Sequence, residues 1–516
     1  MDDGRDTGSD RGEKLQLAHV DEKAAGDKAA GESSPARLDT MTPEQQRSIL
    51  RRVDRRLVLT VAALYCVSLM DRTNMSAANI AGMSVELQLQ GYRYVSLRLR
   101  LPPFMAPSDL VQNIANLVFF IPYILFQPPS TILVRRIGPR LHLASVILFW
   151  GAVMIGMGFV SNFAQLAGLR AVLGVLEAGF FPSCVYLLSV WYTRYEVGRR
   201  FAAFYLLGCL AAACSGILAY GLMQLKGRAG LNGWRWIFII EGALTCVLAI
   251  ASYWLLVDFP DSHRKSWRFL GTRERQWVVD RIQRDRGDTQ LSPFHLRTFL
   301  SAGRDWKIWA YAFIFFNTTT ITYALAYTLP ILLVGNLGFD VGAAQCLVAP
   351  PYAFAGIVMF TSGYLGDRYR IRGPIILFNM VLCLIGLPIM GWHPNAAVRY
   401  FGVFLVTAGA NSNVPAILSF QANNLRGQWK RAFASSIVVG FGGIGGIAGS
   451  LVFREQDKAT GYRPGMYACI ACSLLNMVLV LLCDLDFYRQ NRLADQGKTM
   501  LESAEDDGSQ DFRYTY

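Results

Sequence analysis

The stretch LVLTVAALYCVSLMDRTNMSAANIAGM (57–83) has the length and apolar composition of a membrane span, yet it contains the adjacent charges Asp71 and Arg72. A charged side chain near the bilayer centre costs roughly 2.5–3.5 kcal/mol on insertion scales. Such groups usually face a bundle interior or a water-filled path, and they mark the route of a polar solute. The stretch therefore predicts a membrane protein that moves a polar solute through lipid.

Composition extends this prediction to the whole chain. Of the 516 residues, 53% are hydrophobic and 17% are charged, whereas soluble domains carry about 25% charged residues. A helix of about 20 residues crosses the ~30 Å hydrocarbon layer. We predict an all-α membrane protein of twelve transmembrane helices, at 57–83, 113–134, 141–160, 163–191, 201–224, 235–257, 307–334, 342–365, 374–392, 397–422, 432–453 and 465–486.

The net charge of +13 is explained by where the basic residues lie. Arginine and lysine cluster beside span ends at 51–56, 135–140, 194–200, 368–372 and 426–431, all on one side of a twelve-span chain. This positive-inside pattern predicts that both termini are cytoplasmic, and it argues against nucleic-acid binding.

The polar segments divide the chain, and the two sets of six spans resemble each other. A basic turn, RRIGPR (135–140), follows the second span, and GDRYRIRG (366–373) follows the eighth, which indicates an internal repeat. The central loop should hold a surface helix starting at Thr272. The predicted divisions are a disordered tail (1–50), a six-helix bundle (51–257), a cytosolic linker (258–306), a second six-helix bundle (307–488) and a cytosolic tail (489–516).

The segment GYLGDR (363–368) resembles the loop signature of the major facilitator superfamily. Arg135 stands at the matching acidic position of the first half, and this departure resembles the fungal anion:cation symporters related to allantoate and nicotinate permeases. DRTNMSAANIAGM (71–83), FFIPYILFQPPS (119–130) and GWRWIFIIEG (233–242) resemble the same branch. The resemblance implies two pseudo-symmetric six-helix bundles and a plasma-membrane location. We expect a gate-side charge cluster at the loop residues Gly363, Asp367 and Arg368.

Residues 95–112 interrupt the resemblance. The segment VSLRLRLPPFMAPSDLVQ adds arginines and three prolines to a loop that should face outside, and joining Tyr94 to Asn113 restores the usual entry into the second span. Val95-Ser96 can be encoded by GTAAGT, a donor splice consensus, and Gln112 by CAG, an acceptor. We interpret the eighteen residues as a retained intron; a genuine loop insertion is the alternative.

If this interpretation holds, abundant messenger RNA lacks the codons for 95–112 while the reading frame continues. Sequencing of the transcript across the first two spans tests this, and a dominant transcript that carries the codons would establish a translated loop instead.

Candidate site residues of the first half lie on two spans. Arg170, Gly174 and Glu177 share one helix face at i, i+4 and i+7, with about 10 Å between the two charges. They therefore need other partners, which Asp71 and Arg72 can supply. The guanidinium fork suits a carboxylate, so we predict substrate contact at Arg72, Asn74 and Arg170, with Arg72 preferred. A structural ion pair is the alternative for each arginine.

Proton coupling would need a titrating group in the path. None of the five histidines is central in a span. The task therefore falls to a carboxylate whose neutral form burial favours, either Glu177, which we prefer, or Asp71. A permanently ionised partner of an arginine is the alternative for Glu177.

The second half offers neutral polar groups. Asn317, Tyr323 and Tyr327 lie on the seventh span and Asn411 on the tenth, and we predict that they line the substrate site. Charges from one half and amide or aromatic groups from the other suit a small ring-bearing anion. Interhelical hydrogen bonding is the alternative for each residue. The glycines of FGGIGGIAGS (441–450) indicate close helix packing.

We predict a monomeric symporter that takes up a small organic anion, such as nicotinate or a related vitamin or nitrogen compound, together with a proton. No nucleotide-binding loop, metal cluster or nucleophile elbow indicates an enzyme, and no cofactor is expected. Two alternatives stay open at this point: an exporter of a fungal secondary metabolite, or a nutrient sensor that has lost transport.

Overall fold

The computed structural model describes residues 41–78, 82–83, 86–87, 118–262, 269–286, 296–335, 347–453, 461–498, 501 and 512–516. These residues form helices and connecting turns without a strand. The helices are α1 (Pro43–Val53), α2 (Leu59–Ala78), α3 (Val118–Leu125), α4 (Gln127–Ile137), α5 (Pro139–Met157), α6 (Phe163–Glu177), α7 (Phe180–Trp191), α8 (Val197–Met223), α9 (Gly233–Leu255), α10 (Thr272–Arg286), α11 (Leu296–Ser301), α12 (Trp306–Gly335), α13 (Ala349–Tyr369), α14 (Gly373–Trp392), α15 (Ala396–Asn424), α16 (Gln428–Val452) and α17 (Arg463–Asp495).

The expected all-α membrane fold is confirmed. Eight segments of the described chain are long and apolar enough to cross a membrane, with α6 and α7 together as one of them, and the bent pair α3 and α4 makes a ninth. The long helices α2, α12 and α13 lie at three further predicted spans, which is consistent with a total of twelve.

Helix packing repeats between the two halves. In the first half, α2 packs on α8 and α9, and α5 packs on α9. In the second half, the corresponding helices make the same pairs: α12 packs on α16 and α17, and α14 packs on α17. The halves meet where α8 contacts α13 and α15, and where α4 contacts α16. This is the arrangement expected of two pseudo-symmetric six-helix bundles.

Local sequence explains where several helices begin. Proline stands in the first turn of α5, α14 and α17, where no backbone N–H is needed for an intrahelical bond. Asn162 caps α6 by accepting a hydrogen bond from the Gln165 amide at 2.9 Å, and Asn395 caps α15 in the same way through the Ala397 amide at 2.8 Å.

Glycines allow the closest helix contacts, as the GxxxG spacings predict. A Cβ at Gly449 of α16 would lie 2.6 Å from the carbonyl oxygen of Thr320 on α12. A Cβ at Gly174 of α6 would overlap the carbonyl oxygen of Phe119 on α3. Gly174 therefore gives room to a neighbouring helix.

The arginine-rich connections lie at one end of the helices, which we call the basic face. There the predicted linker helix is present as α10, and Arg281 donates two hydrogen bonds to the carboxylate of Glu196, at 2.9 and 2.7 Å. Burial disfavours the charged carboxylate, but the hydrogen bonds from Arg281 outweigh this penalty and hold the pKa of Glu196 below its usual value. The linker is thus fastened to the connection between α7 and α8.

The predicted tails and the suspected insert lie partly or wholly outside the described residues. The suspected insert 95–112 and residues 1–40 lie outside the described residues. The helix α17 continues to Asp495, into the segment predicted as a cytosolic tail from residue 489. Within that tail, 512–516 is packed against the protein, with Phe512 and Tyr514 buried.

The close contact at Gly174 leads to a test of stability. Gly174→Ala should lower the thermal stability of the detergent-solubilised protein, because overpacking against Phe119 costs about 1–3 kcal/mol. The matched control is Gly168→Ala in the same helix, where an added Cβ meets nothing within 4 Å. Unfolding curves followed by size-exclusion chromatography should separate the two variants; equal curves would show that the contact is not tight.

Candidate functional site

Arg72 joins four helices at the boundary between the halves. Its Nε atom donates to Glu177 Oε1 at 2.7 Å, and Nη2 lies 2.6 Å from the same oxygen. Its Nη1 atom donates to the Tyr323 hydroxyl at 2.8 Å, and Nη2 donates to the Tyr123 hydroxyl at 3.1 Å. The guanidinium on α2 is therefore held by α6 and α3 from its own half and by α12 from the other half.

Glu177 is the last residue of α6, just before the turn that separates α6 from α7. It is 3% exposed. Besides the two contacts with Arg72, its Oε1 atom accepts a hydrogen bond from the Ser68 hydroxyl at 2.7 Å. Ser68 and Arg72 are four residues apart on α2 and so share a face. Glu177 is therefore the ion-pair partner of an arginine. The sequence analysis gave this arrangement as the alternative to a titrating role for Glu177.

Arg170 is placed differently. It lies two turns before Glu177 on α6 and is also 3% exposed. Its Nε and Nη2 atoms have no hydrogen-bond partner among the described residues. Glu177, Tyr327 and Asp71 lie within electrostatic range of the guanidinium. The sequence favoured Arg72 as the arginine that receives the substrate carboxylate. In the structure Arg72 is paired with Glu177, whereas two donor atoms of Arg170 have no partner among the described residues.

Asp71 points into the first half, away from the contacts of Arg72. The indole nitrogen of Trp150 donates to its Oδ2 atom at 3.0 Å, and the Thr245 hydroxyl lies 3.4 Å from the same oxygen. The neighbouring Glu241 on α9 is 2% exposed, and its carboxylate faces the Asn74 amide. Adjacent residues of a helix point about 100° apart, which is why Asp71 and Arg72 serve different surroundings.

The second half contributes aromatic and amide groups. Tyr323 and Tyr327 stack with their ring centroids 5.7 Å apart, as their i,i+4 spacing predicts. Asn317 is buried, and its Nδ2 atom has no hydrogen-bond partner among the described residues. Asn411 instead donates to the Thr407 carbonyl of its own helix at 2.9 Å. Of the predicted set, Tyr323 contacts Arg72 directly and Tyr327 lies within electrostatic range of Arg72 and Arg170, whereas Asn411 is partly satisfied within α15.

Sequence reasoning missed several members of this site. Tyr123 accepts a hydrogen bond from Arg72. Tyr65 lies near the same guanidinium and stacks on Phe204, with 4.6 Å between the ring centroids. Tyrosines are common in apolar helices, so no pattern singled these out. Glu241 could have been found, because it is the one carboxylate within the apolar stretch 235–257, and the rule that drew attention to Asp71 applies equally to it.

The loop motif connects the halves at the basic face. Asp367 accepts hydrogen bonds from the backbone amides of Gly198 and Arg199 at 3.2 and 2.8 Å, at the start of α8. Arg372 pairs with the same carboxylate at 2.5 Å. A carboxylate is favourable at this helix N-terminus, where backbone N–H groups lack intrahelical partners. We call this contact of Asp367 with α8 and Arg372 the clasp.

The other two motif residues have unequal roles. Gly363 lies against α8, where a Cβ would be 2.9 Å from the Ala202 Cβ. Arg368 does not join the clasp; it donates to Tyr364 of its own helix at 3.2 Å. Its place is taken by Arg372, because the chain turns back after Tyr369 and brings the later arginine over Asp367.

Comparisons with known proteins agree with this architecture. The sequence profile of the Major Facilitator Superfamily matches residues 61–450. The "MFS-type transporter cnsO" of Penicillium expansum is 31% identical over 84% of this chain and 82% of its own length. The "High-affinity nicotinic acid transporter" of Saccharomyces cerevisiae is 28% identical over 89% of this chain and 80% of its own length.

Solved structures show the same fold. The proton:xylose symporter XylE superposes with a TM-score of 0.62 at 14% identity, over 84% of this chain and 95% of that one. The human organic anion transporter MFSD10 superposes with a TM-score of 0.55 at 15% identity, over 86% of this chain and all of that one. From its profile match, its fungal relatives and its paired helix bundles, the chain belongs to the Major Facilitator Superfamily and is a membrane transporter.

Proposed function

We propose that this transporter takes up a small organic carboxylate together with a proton. The observation that carries the proposal is the buried guanidinium of Arg170, whose Nε and Nη2 atoms lack hydrogen-bond partners among the described residues. A buried cation with unused donors is costly, and a carboxylate can satisfy two such donors at once. A bound anion would supply what Arg170 lacks.

Aromatic side chains support a ring-bearing substrate. Tyr323 and Tyr327 form a stacked wall beside Arg170, and Tyr123 lies under the guanidinium of Arg72 at 5.1 Å from its ring centroid. Flat aromatic surfaces next to a cation suit a planar acid better than a flexible one. The nicotinic acid transporter among the relatives is consistent with such a substrate.

The Arg72–Glu177 pair supplies a route for coupling. An ionised Glu177 occupies the guanidinium of Arg72, so a substrate carboxylate held by Arg170 has to compete with it for this second cation. Protonation of Glu177 removes the competitor, and proton binding and anion binding then favour each other by linkage. Asp71, which is buried without a contacting cation in the described chain, is the second candidate for the titrating carboxyl.

Orientation follows from charge. Because the basic face gathers the arginine-rich connections, we place this face and both termini in the cytoplasm. A plasma-membrane location fits uptake of a nutrient. The charges at the centre argue against export of an apolar metabolite, because such a cargo would leave Arg170 unsatisfied.

The role of Arg170 can be tested by substitution. Arg170→Gln should raise the Km for nicotinate, or for whichever labelled carboxylate is taken up, by roughly 30-fold or more, because losing one partner of a buried charged contact costs about 2–5 kcal/mol. Arg170→Lys should be intermediate, since an ammonium is a point charge without the planar fork. Initial uptake rates in yeast lacking its own anion permeases measure both.

The control ligand is the neutral amide that has the same ring as the labelled carboxylate. Its weak competition should be equal in the parent and in Arg170→Gln, provided that both are folded by size-exclusion chromatography. An unchanged Km for the carboxylate in folded Arg170→Gln would assign Arg170 a structural role.

The coupling of proton binding to anion binding is tested by substituting the two candidate carboxylates, Glu177 and Asp71. In the parent, lower pH should strengthen binding of the anion, down to the pH at which the substrate itself is protonated. Glu177→Gln removes the competing charge, so binding should become independent of pH and a proton gradient should no longer accelerate uptake. Binding and uptake measured at several pH values between about pH 5 and about pH 8 show this.

Asp71→Asn is the matched variant, because it removes a neighbouring carboxylate that does not bind Arg72. It should retain the pH dependence of anion binding. The reverse result, with pH dependence lost in Asp71→Asn and kept in Glu177→Gln, would transfer the coupling role to Asp71.

A further inference from the structure

The segment 512–516 (Phe-Arg-Tyr-Thr-Tyr) fills a site on the basic face. Phe512, Tyr514 and Thr515 are each at most 5% exposed. Burial of this extent requires that surrounding residues form hydrogen bonds with the backbone N–H and C=O groups of the segment. Residues of α15 and α17 do so.

Two asparagines hold the backbone of the segment. Asn491 on α17 accepts from the Tyr514 amide and donates to the Tyr514 carbonyl, both at 2.9 Å. Asn424 on α15 does the same for Thr515, at 2.7 and 2.9 Å. Each side-chain amide thus pairs with both backbone groups of one residue, as a neighbouring β-strand would. The segment is therefore bound in one register.

Side chains add anchors in the second half. The Tyr514 ring stacks on Phe487 of α17 with 4.7 Å between centroids, and its hydroxyl accepts from Lys307 of α12 at 2.5 Å. The Arg372 amide donates to the Tyr516 carbonyl at 3.2 Å. Arg372 also belongs to the clasp, so the segment lies beside the place where the halves are joined.

Phe512 extends these contacts to the first half. The guanidinium of Arg194, in the connection between α7 and α8, lies 4.7 Å from its ring centroid, and that of Arg426, after α15, lies 5.3 Å from it. Arg194 also donates to the Arg513 carbonyl at 3.4 Å. One aromatic ring is therefore held between arginines from opposite halves.

We propose that the 512–516 segment is a latch that stabilises the conformation closed at the basic face. Its contacts with the second half can persist when the halves separate, but those with Arg194 cannot. Only contacts that differ between two states shift their equilibrium, so the effect of the latch resides in Phe512 and in the Arg513 carbonyl. Release of cargo at the basic face requires this contact to break in each cycle.

The test measures opening without a substrate, so its result is independent of the proposed cargo. Ser419 on α15 is 1% exposed and lines a small cavity together with Gly198 and Ala202 of α8. In the full chain carrying Ser419→Cys, reconstituted in nanodiscs, a polar maleimide should react slowly at this position. Mass spectrometry of the labelled peptides separates the introduced thiol from the natural cysteines.

Phe512→Ala should speed labelling by about 2- to 30-fold, the range that corresponds to loss of a cation–π contact. Deletion of 512–516 should speed it at least as much. Tyr516→Ala is the matched control, because that ring is 45% exposed and its aromatic neighbour Tyr488 lies on α17 of the second half; its rate should equal the parent rate.

A double variant shows whether Phe512 acts through its contact with Arg194 of the first half or through its contacts within the second half. If Phe512 acts through Arg194, the combination of Arg194→Gln with Phe512→Ala should label no faster than Arg194→Gln alone. Parent-like labelling of Phe512→Ala, equal effects of Phe512→Ala and Tyr516→Ala, or additive effects in the double variant would each overturn the latch. Because Phe512→Ala alone is decisive, the result stands even if the deletion variant does not fold.

Discussion

The structure depends on how a guanidinium is kept ionised within an apolar helix bundle. Arg72 is surrounded by one carboxylate and two phenol hydroxyls, which replace the water that it lost. These partners come from three other helices, and one of them lies in the opposite half. Satisfying the charge therefore also fixes the relative position of the halves at the centre. Any movement that opens a central path must first offer this cation another partner.

Arg170 shows the complementary case on the same helix face as Glu177. Two arginines within one small region would repel each other unless carboxylates offset their charge; Glu177 pairs with Arg72, and Glu177 and Asp71 both lie within electrostatic range of Arg170. The two cations differ in their surroundings, because only Arg72 has a directly contacting carboxylate in the described structure. That asymmetry is what makes substrate capture and proton binding two linked events in the proposed mechanism.

At the basic face the halves are joined by contacts of another kind. Asp367 binds the exposed amides that begin α8, and the 512–516 segment lies beside this clasp. Neither contact involves a central residue. A transporter that alternates between two openings needs such contacts to be individually weak, so that they can break in every cycle. A single ring between two arginines meets that requirement.

The sequence alone determined the membrane helices, the two-fold repeat and the identity of the central charges. These follow from hydropathy, from basic turns and from the cost of burying charge, all of which act on residues close together in the chain. It also predicted the tyrosine pair of α12 and the close packing at the glycine motifs, because helical spacing is local. The partners of Arg72 and Arg170, the part played by Glu241, and the replacement of Arg368 by Arg372 were decided only by the tertiary structure. Each depends on which face of one helix meets another, and hydropathy does not carry that information. The burial of 512–516 belongs with these, because its site is assembled from three distant helices and three connections.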